Sequence, residues 1–233
     1  MNILITGASK GIGYELCRKF INKGTHNIVA ISRSDNLFDK RIMSENANDR
    51  QNFTYLKFDL TNSNYTESLI PSITEKLPSI DIIINNAGLL INKPFRELTD
   101  NDFDSMFNLN VKSIFRLIRD ILPNMNNGGH IVNISSMGGF QGSSKFPGLS
   151  LYSAAKGALA ILSECLAEEF KSEKISVNAL ALGAVQTEML NAAFPGYKAP
   201  IKADEMAEFI YDFALNGNKY FNGKILPISV STP

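Results

Sequence analysis

The chain has 233 residues, 44% of them hydrophobic, with 23 Lys plus Arg set against 23 Asp plus Glu. That length allows one large α/β domain or two small ones, and the even charge gives no reason to expect nucleic acid or a membrane surface as a partner. No stretch approaches the ~20 apolar residues of a membrane span. The two cysteines, Cys17 and Cys165, sit in helical-looking apolar patterns. They are too few for a metal site, so no metal is expected, and buried thiols in a reducing, cytoplasmic setting are the expectation.

Short apolar runs alternate with amphipathic stretches from end to end. Ile3 to Ile5 reads as a strand, so the chain opens on core structure and no leader is expected. Gly11 to Asn22 reads as a helix ended near Gly24, Asn27 to Ser32 as the second strand and Phe53 to Phe58 as the third. Ser63 to Leu77 is helical in pattern, with Pro71 a candidate kink. Asp81 to Ile84 is the fourth strand, and Thr99 to Asn124 a long helix with Thr99 as its cap. His130 to Ile134, Leu151 to Lys171 and Ile175 to Leu180 follow as strand, helix and strand. Asn191 to Lys202, with Pro195, Gly196 and Pro200, is an irregular excursion and a candidate lid. Ala203 to Leu215 is the last helix and Ile225 to Ile228 the last strand. Unalternating apolar strands between helices predict a parallel sheet covered on both faces. No linker divides the chain, so one domain over 1–233 is expected.

Three groups of residues carry chemistry. First, Thr6-Gly7-Ala8-Ser9-Lys10-Gly11-Ile12-Gly13 lies between the opening strand and a helix, where glycines let the backbone approach a pyrophosphate at the helix N-terminus. The spacing is GxxxGxG; it is neither the general GxGxxG fingerprint nor a P-loop. Second, the second strand ends at Ser32-Arg33, where an NAD-selective fold usually places an acid. With Lys10 nearby, two cations suit a 2′-phosphate, hence NADP(H) rather than NAD, although Asp35 lies close in sequence. Third, Lys156 follows Tyr152 by four residues, one helical turn. An ammonium beside a phenol favours phenolate and lowers its pKa from ~10.

Taken with Asn85-Asn86-Ala87-Gly88 and Ile134-Ser135-Ser136, these motifs resemble the short-chain dehydrogenase/reductase (SDR) family, in family order and over nearly the whole chain. The resemblance implies a single-domain Rossmann fold: a doubly wound, seven-stranded, mostly parallel sheet with helices on both faces. It implies an oxidoreductase that moves hydride between a nicotinamide cofactor and a small carbonyl or alcohol substrate. Tyr152 would be the general acid/base, Lys156 would lower its pKa and hold the nicotinamide ribose, Ser136 would bond the substrate oxygen, and Asn110 would support a relay water. Asp59 and Leu60 match the adenine-contacting pair, Asn86, Ala87 and Gly88 the loop along the cofactor, and Val185 and Thr187 the segment facing the nicotinamide amide.

The chain departs from the family pattern in Leu182-Gly183, where Pro-Gly is common, and in the 16 residues from Ser136 to Tyr152, a few more than usual. The longer spacing keeps Ser135 and Ser143 as weaker candidates for the catalytic serine. The Tyr152–Lys156 spacing speaks against C=C reduction, and the glycine spacing against an epimerase; a silent NADP-binding regulator on the same scaffold is the alternative. Phe140, Phe146, Leu149, Met189, Phe194 and Tyr197 suggest a partly apolar pocket. The family's dimer surface would be the two long helices, with Phe103, Met106, Phe107, Phe115, Leu159, Leu162 and Leu166 on them, so a homodimer or homotetramer is expected.

Overall fold

β-branched, apolar strands pair here into one sheet buried on both sides. The computed structural model describes residues 1–34 and 52–230; Asp35 and residues 231–233 lie outside them. The strands are β1 (Asn2–Thr6), β2 (Asn27–Ser32), β3 (Phe53–Lys57), β4 (Ile80–Asn85), β5 (Met125–Ser136), β6 (Ser176–Leu182) and β9 (Ile225–Ile228). Their order is β3-β2-β1-β4-β5-β6-β9, and every pairing is parallel, where a mostly parallel sheet was expected. The order reverses between β1 and β4, which opens a crevice at the carboxyl ends of these two strands.

Strand residues alternate between two cores. Ile3, Ile5, Ile82, Ile84 and Val132 face helices α1 (Gly11–Lys23) and α7 (Ala203–Asn216). Leu4, Val29, Ile83, Ile131 and Val177 face the helices of the opposite layer. Those are α2 (Ile70–Lys76), α4 (Ser113–Ile121) and α5 (Ser150–Glu169), while α3 (Asp100–Phe107) packs on α5.

Two predicted helices are interrupted. The Ser63–Leu77 stretch begins as a π-turn, Tyr65–Leu69, and Pro71 sits in the first turn of α2, which follows that turn directly. The Thr99–Asn124 stretch is two helices, α3 and α4, joined by the π-turn Asn108–Lys112. Thr99 caps it as predicted, in a reciprocal box with Asp102. The Thr99 N–H, with Lys93 beside it, holds the Asp102 carboxyl down at about 2.

Cys165 is exposed, contrary to the sequence expectation, because α5 turns that face away from the sheet; Cys17 is buried in α1, and burial pushes its thiol up. Among the helix residues expected at a dimer surface, Met106 and Leu159 are core at 0% exposure, whereas Phe103 and Phe115 are each 44% exposed. Phe103 stacks on Phe107 with ring centroids 4.4 Å apart. Among the described residues no helix is long and apolar enough to cross a membrane.

Candidate active site

The carboxyl edge of the sheet brings the predicted residues together. β1 delivers the glycine turn at Thr6, β4 delivers Asn86-Ala87-Gly88 and β5 ends on Ser136. The turn is stitched to β4 by hydrogen bonds the motif alone does not show. The Thr6 hydroxyl accepts from the N–H groups of Asn86 (3.1 Å) and Ala87 (3.2 Å). The Asn86 amide in turn donates to the carbonyls of Thr6 (3.2 Å) and Gly7 (3.1 Å). Thr6 and the side chain of Asn86 therefore hold the loop in shape. Gly7, with φ 72°, needs glycine's left-handed freedom, and a Cβ on it would meet Ala87 Cα at 2.7 Å.

Helix α1 then starts at Gly11 with Lys10 as an exposed N-cap that makes no side-chain cap bond, and no acid occupies the first turn. A lysine ammonium cannot accept a hydrogen bond, so its side chain leaves the first N–H groups of the helix uncapped. Beside them a cavity of about 290 Å³ lies between Ser9, Lys10 and Gly11 on one side and Gln186, Thr187 and Glu188 on the other. At the end of β2, Ser32 is buried and bonded to Tyr55 and to the Ser34 carbonyl, and Arg33 is exposed. Asp59 accepts from the N–H and hydroxyl of Thr61, which shapes the turn after β3. Leu60 is buried, and its carbonyl accepts from the Tyr65 hydroxyl at 2.7 Å.

The serine candidates separate by their partners. Ser135 is buried and donates to the Lys156 carbonyl, 2.8 Å, and Ser143 donates to the carbonyls of Met137 and Phe140 inside its own loop. Ser136 accepts from the Gly138 N–H at 3.1 Å and stands near enough to the Tyr152 phenol to favour its ionised form. Gly139 lets this turn rest on α5: a Cβ there would lie 2.5 Å from the Gly157 nitrogen. Lys156 is 3% exposed, donates to the Ile134 carbonyl at 2.8 Å, and places its ammonium 5.9 Å from the centre of the Tyr152 ring. Gly88 faces the same spot, with a Cβ position 3.4 Å from Lys156 Nζ and 3.1 Å from Asn110 Oδ1.

One electrostatic expectation is reversed. Burial raises the Tyr152 phenol to about 12, nearby Ser136 offsetting part of the rise, and burial lowers Lys156 to about 8. The lysine spends its nearest donor on a main-chain carbonyl, so desolvation dominates both groups. Asn110 lies in the π-turn, fully buried, and bonds Leu89 twice: its Oδ1 accepts from the Leu89 N–H (3.0 Å) and its Nδ2 donates to the Leu89 carbonyl (2.8 Å). Each carboxamide atom therefore has a main-chain partner, and the side chain fixes the strap that follows Gly88.

The excursion predicted as a lid is a pinned flap. It leaves β7 (Val185–Gln186), forms α6 (Glu188–Ala193) and returns to β8 (Ile201–Lys202), which pairs with β7. The Gln186 side chain bonds Asn191 and accepts from the Ala199 N–H. Thr187 caps α6, and its Cγ2 comes within 3.3 Å of a Cβ position on Gly11. Where Pro-Gly is usual, Leu182 completes the β6 ladder and the Gly183 N–H donates to Ile228 at 2.8 Å.

A glycine turn at the switch point of a doubly wound parallel sheet defines a dinucleotide-binding Rossmann fold. The short chain dehydrogenase family model matches residues 1–198, and the chain belongs to that family. It is an oxidoreductase of carbonyl and alcohol groups. It is 32% identical over 191 residues to a fatty acyl-CoA reductase of Acinetobacter baylyi, covering 80% of this chain and 63% of that one. The alignment thus leaves over a third of that relative unmatched. It is 26% identical to the 3-oxoacyl-(acyl-carrier-protein) reductase FabG of Chlamydia trachomatis, over 97% of this chain and 94% of that one. Among solved structures, ElxO with NADP bound superposes with TM-score 0.83 at 28% identity, over 97% of this chain and 96% of the other.

Proposed function

We propose that the protein reduces a ketone or aldehyde with NADPH, with Tyr152 giving the proton to the carbonyl oxygen. The observation that carries this reading is the Ser136–Tyr152–Lys156 group at the sheet's carboxyl edge, next to a glycine turn whose helix start is left uncapped. The residues fit a dinucleotide. Gly7, Ser9, Gly11, Ile12 and Gly13 would hold the pyrophosphate, Lys10 and Arg33 the 2′-phosphate, and Asp59 and Leu60 the adenine. Asn86, Ala87 and Gly88 would lie along the cofactor, Val185 and Thr187 at the nicotinamide amide, and Lys156 at the ribose with the Tyr152 ring beside it. Bound there, the cofactor supplies the hydride.

The protein's own part is to orient the carbonyl, stabilise its developing negative charge and deliver a proton. Ser136 already accepts from Gly138, so its own proton is free to be shared between the phenol and a carbonyl oxygen. A phenol raised to about 12 remains a far stronger acid than an alcohol, so proton delivery to a forming alkoxide is downhill. The buried Lys156 ammonium, held by the Ile134 carbonyl, places positive charge under the site.

Lys10 and Arg33, both exposed beside the turn, are our reading of the NADP(H) preference, since Ser32 holds no acid and is already bonded to Tyr55. Replacing either cation by alanine is expected to weaken NADPH binding about ten-fold and leave NADH binding unchanged, the loss expected for one charge-assisted hydrogen bond. Fluorescence titration of both cofactors checks this; equal affinities in the wild-type protein would overturn the preference. Exposed Phe103 and Phe115 on α3 and α4 support self-association as a homodimer or larger, which light scattering reads directly.

A further inference from the structure

Asn92 stands where three segments over the cleft meet. Its Nδ2 donates to the Ala193 carbonyl, at the last residue of α6 in the flap, at 2.8 Å. The next N–H along the chain, that of Lys93, donates to the Gly148 carbonyl at 3.0 Å. The Asn92 carboxamide lies against Gly148 itself: a Cβ built there would fall 2.0 Å from Asn92 Oδ1. Gly148 has φ 85°, so the position needs glycine both for its left-handed backbone and for the room it leaves Asn92. Leu149 follows as the buried N-cap of α5, and its carbonyl accepts from the Ser153 N–H at 2.8 Å, one residue past Tyr152.

The strap that carries Asn92 is itself held. Asn110 bonds Leu89 twice, and the Lys93 ammonium meets Asp102 at 2.9 Å. A fixed strap therefore reaches the loop leading into Tyr152 with its backbone and the flap with the Asn92 side chain. The flap is pinned at its base by the β7–β8 pair and Gln186, while its far side meets Asn92.

We propose that Asn92 is a positioning residue, a latch that holds the flap of residues 187–200 closed across the cleft to the Tyr152 side. This rests on the reading of the cleft as a carbonyl reductase site. Closure of this kind shields the reacting groups from water and commits the substrate. A neutral hydrogen bond shifts an open–closed balance by about five-fold. The Lys93–Gly148 bond runs through the main chain and does not need the Asn92 side chain, so Tyr152 keeps its seat when the latch is removed.

Asn92→Asp removes the donor at equal size, and Asn92→Ala removes the carboxamide without adding charge. Both variants of the full chain are compared with the wild-type protein by tryptic cleavage after Lys198 in the flap, by KM and kcat, by NADPH affinity and by the urea midpoint. The carbonyl used is the one the wild-type protein turns over fastest among short ketones and aromatic aldehydes. Cleavage after Lys198 and KM for the carbonyl are each expected to rise about five-fold, while kcat, NADPH affinity and the urea midpoint hold. Unchanged cleavage and KM in both variants would overturn the latch, as would a KM rise matched by a fall in the urea midpoint. If the wild-type protein turns over no carbonyl, the reductase reading fails, and the cleavage rates still decide for or against the latch.

Discussion

Replacing Tyr152 by phenylalanine is expected to lower kcat by about 10²–10⁴-fold, the usual contribution of a positioned general acid. The ring stays, so its packing over Lys156 stays, and Ser136 keeps its bond from Gly138. NADPH affinity and the urea midpoint should therefore hold. The pH dependence has a definite sign. The phenol at about 12 is protonated throughout the neutral range, so reduction does not wait on its protonation. Oxidation of the alcohol needs phenolate, whose fraction rises ten-fold per pH unit below the pKa, so the oxidative rate should climb steadily with pH in that range. A phenylalanine variant as active as the wild-type protein would remove Tyr152 from the chemistry.

Gly13→Ala is expected to damage the cofactor seat more than its single methyl group suggests. Gly13 has no unusual φ; its constraint is space. An added Cβ would lie 2.3 Å from the Gly7 carbonyl oxygen and 2.5 Å from Asn86 Nδ2. Neither neighbour can give way cheaply, because the Gly7 N–H is held by the Ile31 carbonyl at 2.8 Å and Asn86 bridges two loop carbonyls. Overpacking of this kind costs about 1–3 kcal/mol, and re-aiming the loop should cost NADPH affinity at least ten-fold. Gly24→Ala is the control. It carries φ 64° with nothing within 4 Å of its Cβ position, so it is expected to lose about 1–2 kcal/mol from backbone strain alone and to bind NADPH normally. Urea unfolding and fluorescence titration separate the two effects. Normal NADPH affinity in folded Gly13→Ala would contradict the role given to the turn.

The parts of the site legible in the sequence are those set by local spacing. The GxxxGxG turn, the Tyr152–Lys156 turn of helix and the Thr99 cap each concern neighbours within one element. Contacts between distant residues were not legible. Asn110 meets Leu89 through 21 residues of intervening chain geometry, and Asn92 meets Ala193 across 101. No periodicity signals either pair. The long helix predicted from Thr99 to Asn124 shows why the pattern misleads: an apolar stripe survives a π-turn, so α3 and α4 read as one element although the break between them carries the buried Asn110. The Tyr152 phenol fails for a different reason. Spacing places a cation near it, but its pKa is governed by burial, which only the folded chain determines. Thr6 and Asn86 were readable as loop residues, and their work in binding β1 to β4 follows from the crossing of two strands 80 residues apart.

The most direct measurement is NADPH absorbance after mixing the NADPH-loaded protein with short ketones and aromatic aldehydes, with the Tyr152→Phe variant run beside it. The account predicts carbonyl-dependent, stoichiometric loss of NADPH in the wild-type protein, and equal NADPH binding without that loss in the variant. Tight NADPH binding with no oxidation by the wild-type protein across the panel, or oxidation at equal rates by both proteins, would contradict it.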